Sequence, residues 1–394
     1  MESVKPVILF VYRTAFHPLR GGVERVTESL AKALLEKGYK VLFLHSKRDT
    51  EIADYAYAAP TYYFPTKSYF SKENIEFYHR FLKEKKIDIV INQSGYYRAS
   101  NLYLNTGNPA IKTITVIHSA PMAGYDMLWS GITDLPQLTG KQKYNRLIRI
   151  LKFPLTKTYT YLWLLRHYRV LEKHSDIVCI LSAHFKQELQ RVYKGSEKNI
   201  RVIPNPFPGT PLEYNTSKKK QLLYVGRLDY TQKRPDRLIS IWGKLYKEFP
   251  EWELIFVGDG PARQLLEKQA SQYERITFTG YQVPDQYYKD AMLFCLTSDF
   301  EGFAMSLLEA IQAFAVPTSF NSYASVHDVI IDQETGILAT PFNTDEYAEK
   351  LRKLMNNESE IKRIAFQAAK HSKDFEISNI LPLWEKLFKE LQAK

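Results

Sequence analysis

The sequence predicts two α/β domains, each a doubly wound parallel sheet, facing one another across a cleft. Three observations carry this. Short β-branched runs alternate with amphipathic helical stretches along the chain, a proline-rich segment breaks the alternation near the middle, and the alternation then restarts. At 394 residues the chain is long for one domain and comfortable for two. The boundaries that follow are 1–203 for the first domain, 204–220 for a linker, 221–374 for the second domain and 375–394 for a closing helix.

In chain order, Val7-Ile-Leu-Phe-Val11 reads as a buried strand. The helix after it has Val23, Val26, Leu30 and Leu34 on one face, and Gly38 closes it. Val41-Leu-Phe-Leu44, Ile89-Val-Ile91, Ile114-Thr-Val-Ile117 and Ile177-Val-Cys-Ile-Leu181 continue the strands. Ile203-Pro-Asn-Pro-Phe-Pro-Gly-Thr-Pro-Leu212 and Lys218-Lys-Lys220 have linker chemistry. Gln221-Leu-Leu-Tyr-Val225, Glu253-Leu-Ile-Phe-Val257, Ile276-Thr-Phe278 and Met292-Leu-Phe-Cys-Leu296 are the strands of the second domain. A helix is expected over 304–313 and an amphipathic one over 377–391, with Trp384, Leu387 and Leu391 on its apolar side. Ligands of open parallel sheets bind beyond the carboxyl ends of the strands, which points to the cleft.

Composition narrows the class. With 45% apolar and 25% charged residues the chain is globular, not disordered or collagen-like. Cys179 and Cys295 lie inside apolar strand runs, as buried residues of a reducing compartment do. The first apolar run is too short for a signal peptide, and no stretch reaches the roughly 18 apolar residues of a membrane helix. The expectation is a cytoplasmic protein, or one peripheral on the cytoplasmic face of a membrane. The net charge of +11 is uneven: residues 1–200 carry 30 Lys/Arg against 17 Asp/Glu, and residues 201–394 carry 24 against 26. A nucleic-acid binder or a domain that docks on anionic lipid fits such a basic half.

Three motifs carry chemistry. Gly21-Gly22-Val-Glu24 stands between the first strand and first helix, where glycines allow close approach and helix amides face an anion. No Gly-x-Gly-x-x-Gly occupies this turn and no P-loop occurs, which disfavours dinucleotide binding and P-loop hydrolysis. Gly226, Arg227 and Lys233 leave the carboxyl end of a strand in Tyr224-Val-Gly-Arg-Leu-Asp-Tyr-Thr-Gln-Lys233, before a helix that starts near Pro235. Two cations there suit a diphosphate. In Ser298-Asp-Phe-Glu-Gly-Phe-Ala-Met-Ser-Leu-Leu-Glu309, Glu301 and Glu309 flank a helix start and suit sugar hydroxyls, while the amides of Phe303 and Ala304 face phosphate or sugar oxygens.

In this order and spacing the motifs resemble those of retaining glycosyltransferases of family 4, whose fold is the two-Rossmann GT-B architecture. The match includes Gly-Gly-x-Glu, His118 in Val116-Ile-His-Ser-Ala-Pro121, the Val-Gly-Arg-Leu…Lys loop and Glu-x7-Glu followed by Ala-Val-Pro317. The resemblance implies that Arg227 and Lys233 neutralise a departing nucleotide diphosphate, that Glu301 binds donor-sugar hydroxyls and that Glu309 binds the ribose. It also implies that Gly21 and Gly22 face phosphate or acceptor, that His118 lies near the transferred sugar, and that the closing helix braces the first domain. Ala304 stands where glycine or proline is frequent, and Asn321-Ser-Tyr-Ala-Ser-Val-His-Asp-Val-Ile330 replaces a usual glycine pair.

The implied activity is transfer of a hexose from a nucleotide sugar, with a UDP-sugar as the expected donor, onto a saccharide acceptor such as a lipid-linked precursor of a surface polysaccharide. No Asp-x-Asp occurs, so no metal and no cofactor is expected. A nucleotide-sugar epimerase of the same architecture is the alternative; a nucleic-acid partner is not expected, for want of a reading helix or stacking signature. Lys141, Lys143, Arg146, Arg149, Lys152, Lys157, Arg166 and Arg169 interleave with Leu147, Leu151, Phe153 and Trp163. Residues 141–169 therefore suit an anionic membrane surface, or form an ordinary solvated helix pair.

Overall fold

The computed structural model describes residues 5–17, 21–46, 55–129, 132, 140–207 and 213–393. The linker residues 208–212 and the side chain of Lys141 lie outside the described residues. The chain divides into two compact units. Met1–Pro121, Tyr161–Gly209 and Phe375–Lys394 form the first; Met122–Thr160 and Thr210–Asp374 form the second.

The first unit is built on seven parallel strands in the order β3-β2-β1-β4-β5-β6-β7. They are β1 (Val7–Tyr12), β2 (Lys40–His45), β3 (Thr61–Tyr63), β4 (Ile89–Asn92), β5 (Lys112–Ile117), β6 (Ile177–Ile180) and β7 (Ile200–Val202). The edge strands β3 and β7, three residues each, carry too short an apolar run to read from the sequence. Central strands are buried on both faces, as continuous apolar runs require. Chain order reverses on either side of β1, so the switch point, and with it the ligand crevice of such a sheet, lies at the carboxyl ends of β1 and β4.

The helix Gly22–Glu36 follows β1 and buries Val26, Leu30 and Leu34. Gly38 at φ 79 ends it in the left-handed turn that glycine adopts without strain. The last helix, Ile377–Gln392, buries Ile380, Leu381, Trp384, Leu387, Phe388 and Leu391. It lies against the first helix, with the Phe388 ring 5.8 Å from Tyr39 and the Tyr39 hydroxyl donating to Glu385 at 3.3 Å.

A single helix spans Gly140–His174, with Pro154 inside it. Leu164, His167, Tyr168 and Leu171 in its C-terminal half are buried, whereas its N-terminal half is largely exposed. Residues 122–160 fall in the second compact unit, where the sequence suggested an uninterrupted 1–203 for the first.

The second unit has six parallel strands in the order β10-β9-β8-β11-β12-β13. These are β8 (Lys219–Val225), β9 (Glu253–Val257), β10 (Ile276–Phe278), β11 (Ala291–Leu296), β12 (Val316–Phe320) and β13 (Ile337–Ala339). Its switch point falls between β8 and β11. Lys219 and Lys220 of the lysine run expected as linker instead start β8, with Lys218 just before it. Lys219 pairs with Asp290 at 2.8 Å, Lys220 with Glu358 at 3.0 Å, and Lys218 Nζ donates to the carbonyl of Ala291 at 2.7 Å. Cys179 on β6 and Cys295 on β11 are fully buried, and burial pushes both thiols up to about 12.

Candidate active site

In the second unit the loop after β8 and the loop after β11 meet at the switch point. Asp229 organises the first. Its Oδ1 accepts from the Thr231 amide at 2.9 Å, the Thr231 hydroxyl at 2.9 Å and the Gln232 amide at 2.7 Å, an Asx turn that aims the next residue, Lys233. Its Oδ2 accepts from Arg227 Nε at 2.7 Å. Burial would raise the Asp229 carboxyl, but the Arg227 guanidinium and the Gln232 amide outweigh it and hold the group below its ordinary range.

Lys233 Nζ donates to Glu301 Oε1 at 2.7 Å, and the Ser298 hydroxyl donates to the same oxygen at 2.7 Å. Gln232 Nε2 reaches Glu301 Oε2 at 3.3 Å and the Phe300 carbonyl at 3.2 Å. An ammonium has three N–H donors, so the contact with Glu301 leaves Lys233 capacity for phosphate oxygens. The Arg227 side chain is 60% exposed and engages Asp229 through Nε. Buried Asp299 receives Arg237 and lies 3.6 Å from Arg234 Nη1. Arg237 also stacks over Phe342 at 4.2 Å.

The helix Met305–Gln312 starts beyond Glu301, with Phe303 and Ala304 buried at its head. Glu309, half-buried on that helix, accepts from the Tyr288 hydroxyl at 2.8 Å. The Gly226 amide is consumed by the Val257 carbonyl at 3.0 Å. Its part is close packing: a Cβ on the facing Gly258 would lie 2.0 Å from Gly226 O. Gly226 thus shapes the loop that carries Arg227 and Lys233.

In the first unit the structure gathers His118, which the sequence singled out, with residues that it did not. Gln93 to Tyr97 follow β4, Arg13 and Thr14 follow β1, and His118 and Ser119 follow β5. His118 Nε2 hydrogen-bonds Gln93 Oε1, which assigns the proton to Nε2 and leaves Nδ1 an acceptor. Burial alone pulls His118 down to about 3, so the ring is neutral at physiological pH. Gly95 passes so close to β5 that a Cβ would lie 2.4 Å from Val116 O, and His167 Nε2 holds the Gly95 carbonyl at 2.7 Å. Gly21 precedes the first helix, and the Glu24 carboxylate occupies that helix start, 3.0 Å from where a Gly21 Cβ would lie. Asx spacing at Asp229 was a usable signal for its loop; Arg13 and Tyr97 left none beyond following a strand.

Cations and carboxylates on the carboxyl ends of a parallel sheet, joined to a second such sheet, define a protein that handles a phosphorylated, hydroxyl-rich ligand. Among the described residues, no group of three or more His, Cys, Asp or Glu could hold a metal ion. Residues 20–208 match the family model for Glycosyltransferase Family 4, and residues 213–371 that for Glycosyl transferases group 1. The chain is 27% identical over 381 residues to an uncharacterized glycosyltransferase of Haemophilus influenzae, covering 93% of this chain and 95% of that protein. It is 29% identical over 230 residues, 57% of this chain and 63% of the relative, to a Campylobacter jejuni N-acetyl-D-galactosaminyltransferase named for a diNAcBac-PP-undecaprenol-linked acceptor. The Anabaena HepE structure, in complex with UDP and glucose, superposes with a TM-score of 0.72 at 16% identity, covering 98% of this chain and 99% of that one. This likeness identifies the fold as GT-B. The chain belongs to glycosyltransferase family 4.

Proposed function

We propose that this glycosyltransferase moves a hexose from a UDP-sugar, with retention of anomeric configuration and without a metal, onto a lipid-linked saccharide precursor of a surface polysaccharide. The observation that carries the reading is the Lys233–Glu301 pair at the switch point of β8 and β11, with Arg227 beside it. Lys233 and Arg227 meet the diphosphate, whose negative charge grows as the bond to the sugar breaks. Glu301 accepts from donor-sugar hydroxyls and Glu309 from the ribose. His118 lies near the transferred sugar.

In the reaction the bond between the anomeric carbon and the diphosphate oxygen breaks. The acceptor hydroxyl oxygen bonds to the same face of that carbon, and its proton passes to the departing diphosphate. The relative named for an undecaprenol-linked acceptor and the neighbour that holds UDP support the choice of acceptor and donor. We further place the protein on the cytoplasmic face of an anionic membrane, docked through the helix Gly140–His174. A thermal-shift screen of UDP, ADP, GDP and dTDP tests the donor, since a ligand of the folded state raises Tm. UDP is expected to stabilise most, and stabilisation by none of the four would overturn the reading.

A further inference from the structure

The first unit carries a group of polar atoms that the reading above leaves unused. Arg13 Nε, Ser94 Oγ and Ser119 Oγ are buried without a hydrogen-bond partner, as is His118 Nδ1. All four sit on residues that follow the adjacent strands β1, β4 and β5, beside the switch point of that sheet. Buried polar groups are nearly always satisfied, and four orphans on neighbouring strand ends point to a ligand that satisfies them.

The residues also state which ligand. Arg13 lays its guanidinium over the Tyr97 ring, 4.2 Å from the centroid, and donates to the Tyr12 hydroxyl oxygen. Stacking fixes the guanidinium plane, so its remaining N–H groups point sideways as a fork, the geometry that pairs with a carboxylate or phosphate. Glu24 is a nearby carboxylate whose charge acts on Arg13, and its Oε1 accepts from the Thr14 hydroxyl at 3.3 Å. His118 Nδ1 accepts only, and needs a hydroxyl donor; the serine hydroxyls serve either way.

We propose that the carboxyl ends of β1, β4 and β5 form an oxyanion subsite, in which Arg13 binds a carboxylate or phosphate group carried by the acceptor. His118 and Ser119 receive the acceptor's neighbouring hydroxyls. The preferred acceptor is therefore acidic close to its reacting end. The anionic group comes either from an acidic sugar or from the pyrophosphate that links a saccharide to its lipid. This inference rests on the glycosyltransferase reading, and deepens it by naming the acceptor's chemistry.

The test is calorimetric titration of the full chain, saturated with UDP, using three probes: methyl glucuronide, geranyl pyrophosphate and methyl glucoside. One of the two anionic probes is expected to bind, more weakly as salt rises, and to outcompete the neutral glucoside. Which one binds identifies the source of the charge. Arg13→Gln is expected to weaken that probe by at least about tenfold, and Arg13→Lys to recover only part, because an ammonium lacks the fork. Tyr97→Ala, at a position 41% exposed and so tolerant of truncation, is expected to weaken the same probe by removing the stacking platform. UDP affinity is expected to stay unchanged in all three variants. If neither anionic probe binds, or if both Arg13→Gln and Tyr97→Ala bind it like wild type, the subsite is overturned. Failure of the wild-type protein to bind UDP would instead count against the glycosyltransferase reading itself.

Discussion

Lys233 Nζ lies 2.7 Å from Glu301 Oε1 although 68 residues separate them, and only the pairing of β8 with β11 brings them together. Each partner is fixed from its own side. Asp229 collects the amides that turn the Lys233 loop, and the Ser298 hydroxyl shares the Glu301 oxygen with Lys233. A cation and an acceptor of hydroxyl groups are thus set side by side on a rigid sheet end. Reorganisation on ligand binding is small in such a site, which is where electrostatic catalysis is most effective.

Removing either cation tests this directly. Lys233→Ala and Arg227→Ala are each expected to lower turnover by about a hundredfold, the loss of roughly 3 kcal/mol of charge stabilisation in the transition state. Far-ultraviolet circular dichroism should stay that of wild type, because Arg227 is exposed and Lys233 sits in a loop. A folded double variant with near wild-type turnover rules the pair out as the diphosphate site.

What the sequence disclosed and what it hid follow from the range of each signal. Strand runs such as Ile177-Val-Cys-Ile180, and the turn that sets Lys233 before Pro235, are local and legible. Pairings such as Lys233 with Glu301, or Arg13 with Tyr97, depend on which strands lie side by side, and local patterns do not encode that. The basic helix shows the same limit. Phe153 and Trp163 were expected among its outward apolar residues, yet Phe153 lies 4.8 Å from Trp129, and Trp163 stacks on His167 at 5.1 Å. Phe153 meets a partner on a separate segment, whereas His167 is one turn further along the same helix, and each ring is partly covered as a result.

The pH dependence of stability follows from His118. Burial pulls its folded value from 6.5 down to about 3, so between these values the unfolded chain binds more protons than the folded one. Stability therefore rises with pH across that window and is lost as the solution is acidified, by about 2 kcal/mol from pH 7 to pH 5 for this group alone. Burial lowers His167 as well, and its contribution has the same sign. Urea denaturation of His118→Gln at pH 5, 6 and 7 is expected to show a shallower slope with pH than wild type. An unchanged slope would mean that His118 is not the group responsible.

Metal independence is expected because Lys233 and Arg227 supply the positive charge that a divalent cation brings to a diphosphate elsewhere. Turnover with the UDP-sugar donor should survive excess EDTA with only a modest change. Complete loss, restored by magnesium or manganese, would show that a metal holds the diphosphate.

The membrane contact is the most exposed of these expectations, and the helix Gly140–His174 makes it specific. Tyr144, Leu147, Leu151, Leu155, Tyr159 and Leu162 are all more than half exposed. Their spacing of three or four residues sets them along one face of the helix. Lys143, Arg146, Arg149 and Lys152 lie on the same stretch. No helix among the described residues is long and apolar enough to cross a membrane, so the contact proposed here is one that lies on the surface. Each cation near an anionic leaflet contributes about 1 kcal/mol, and each fully buried leucine about 2 kcal/mol. Together they exceed what either part supplies, so binding should need both. Co-sedimentation with vesicles separates them. Wild-type protein is expected to pellet with anionic vesicles at low salt and to be largely released near 1 M salt, where the screening length falls to about 3 Å. Changing Lys143, Arg146, Arg149 and Lys152 together to Ala should abolish pelleting while leaving UDP binding intact. Changing Leu147, Leu151 and Leu155 together to Ser should weaken it even at low salt, because the charges alone remain. Pelleting of the leucine variant at wild-type strength would reduce the contact to simple electrostatics, and wild-type protein that ignores anionic vesicles would leave the exposed stripe with no role at a bilayer.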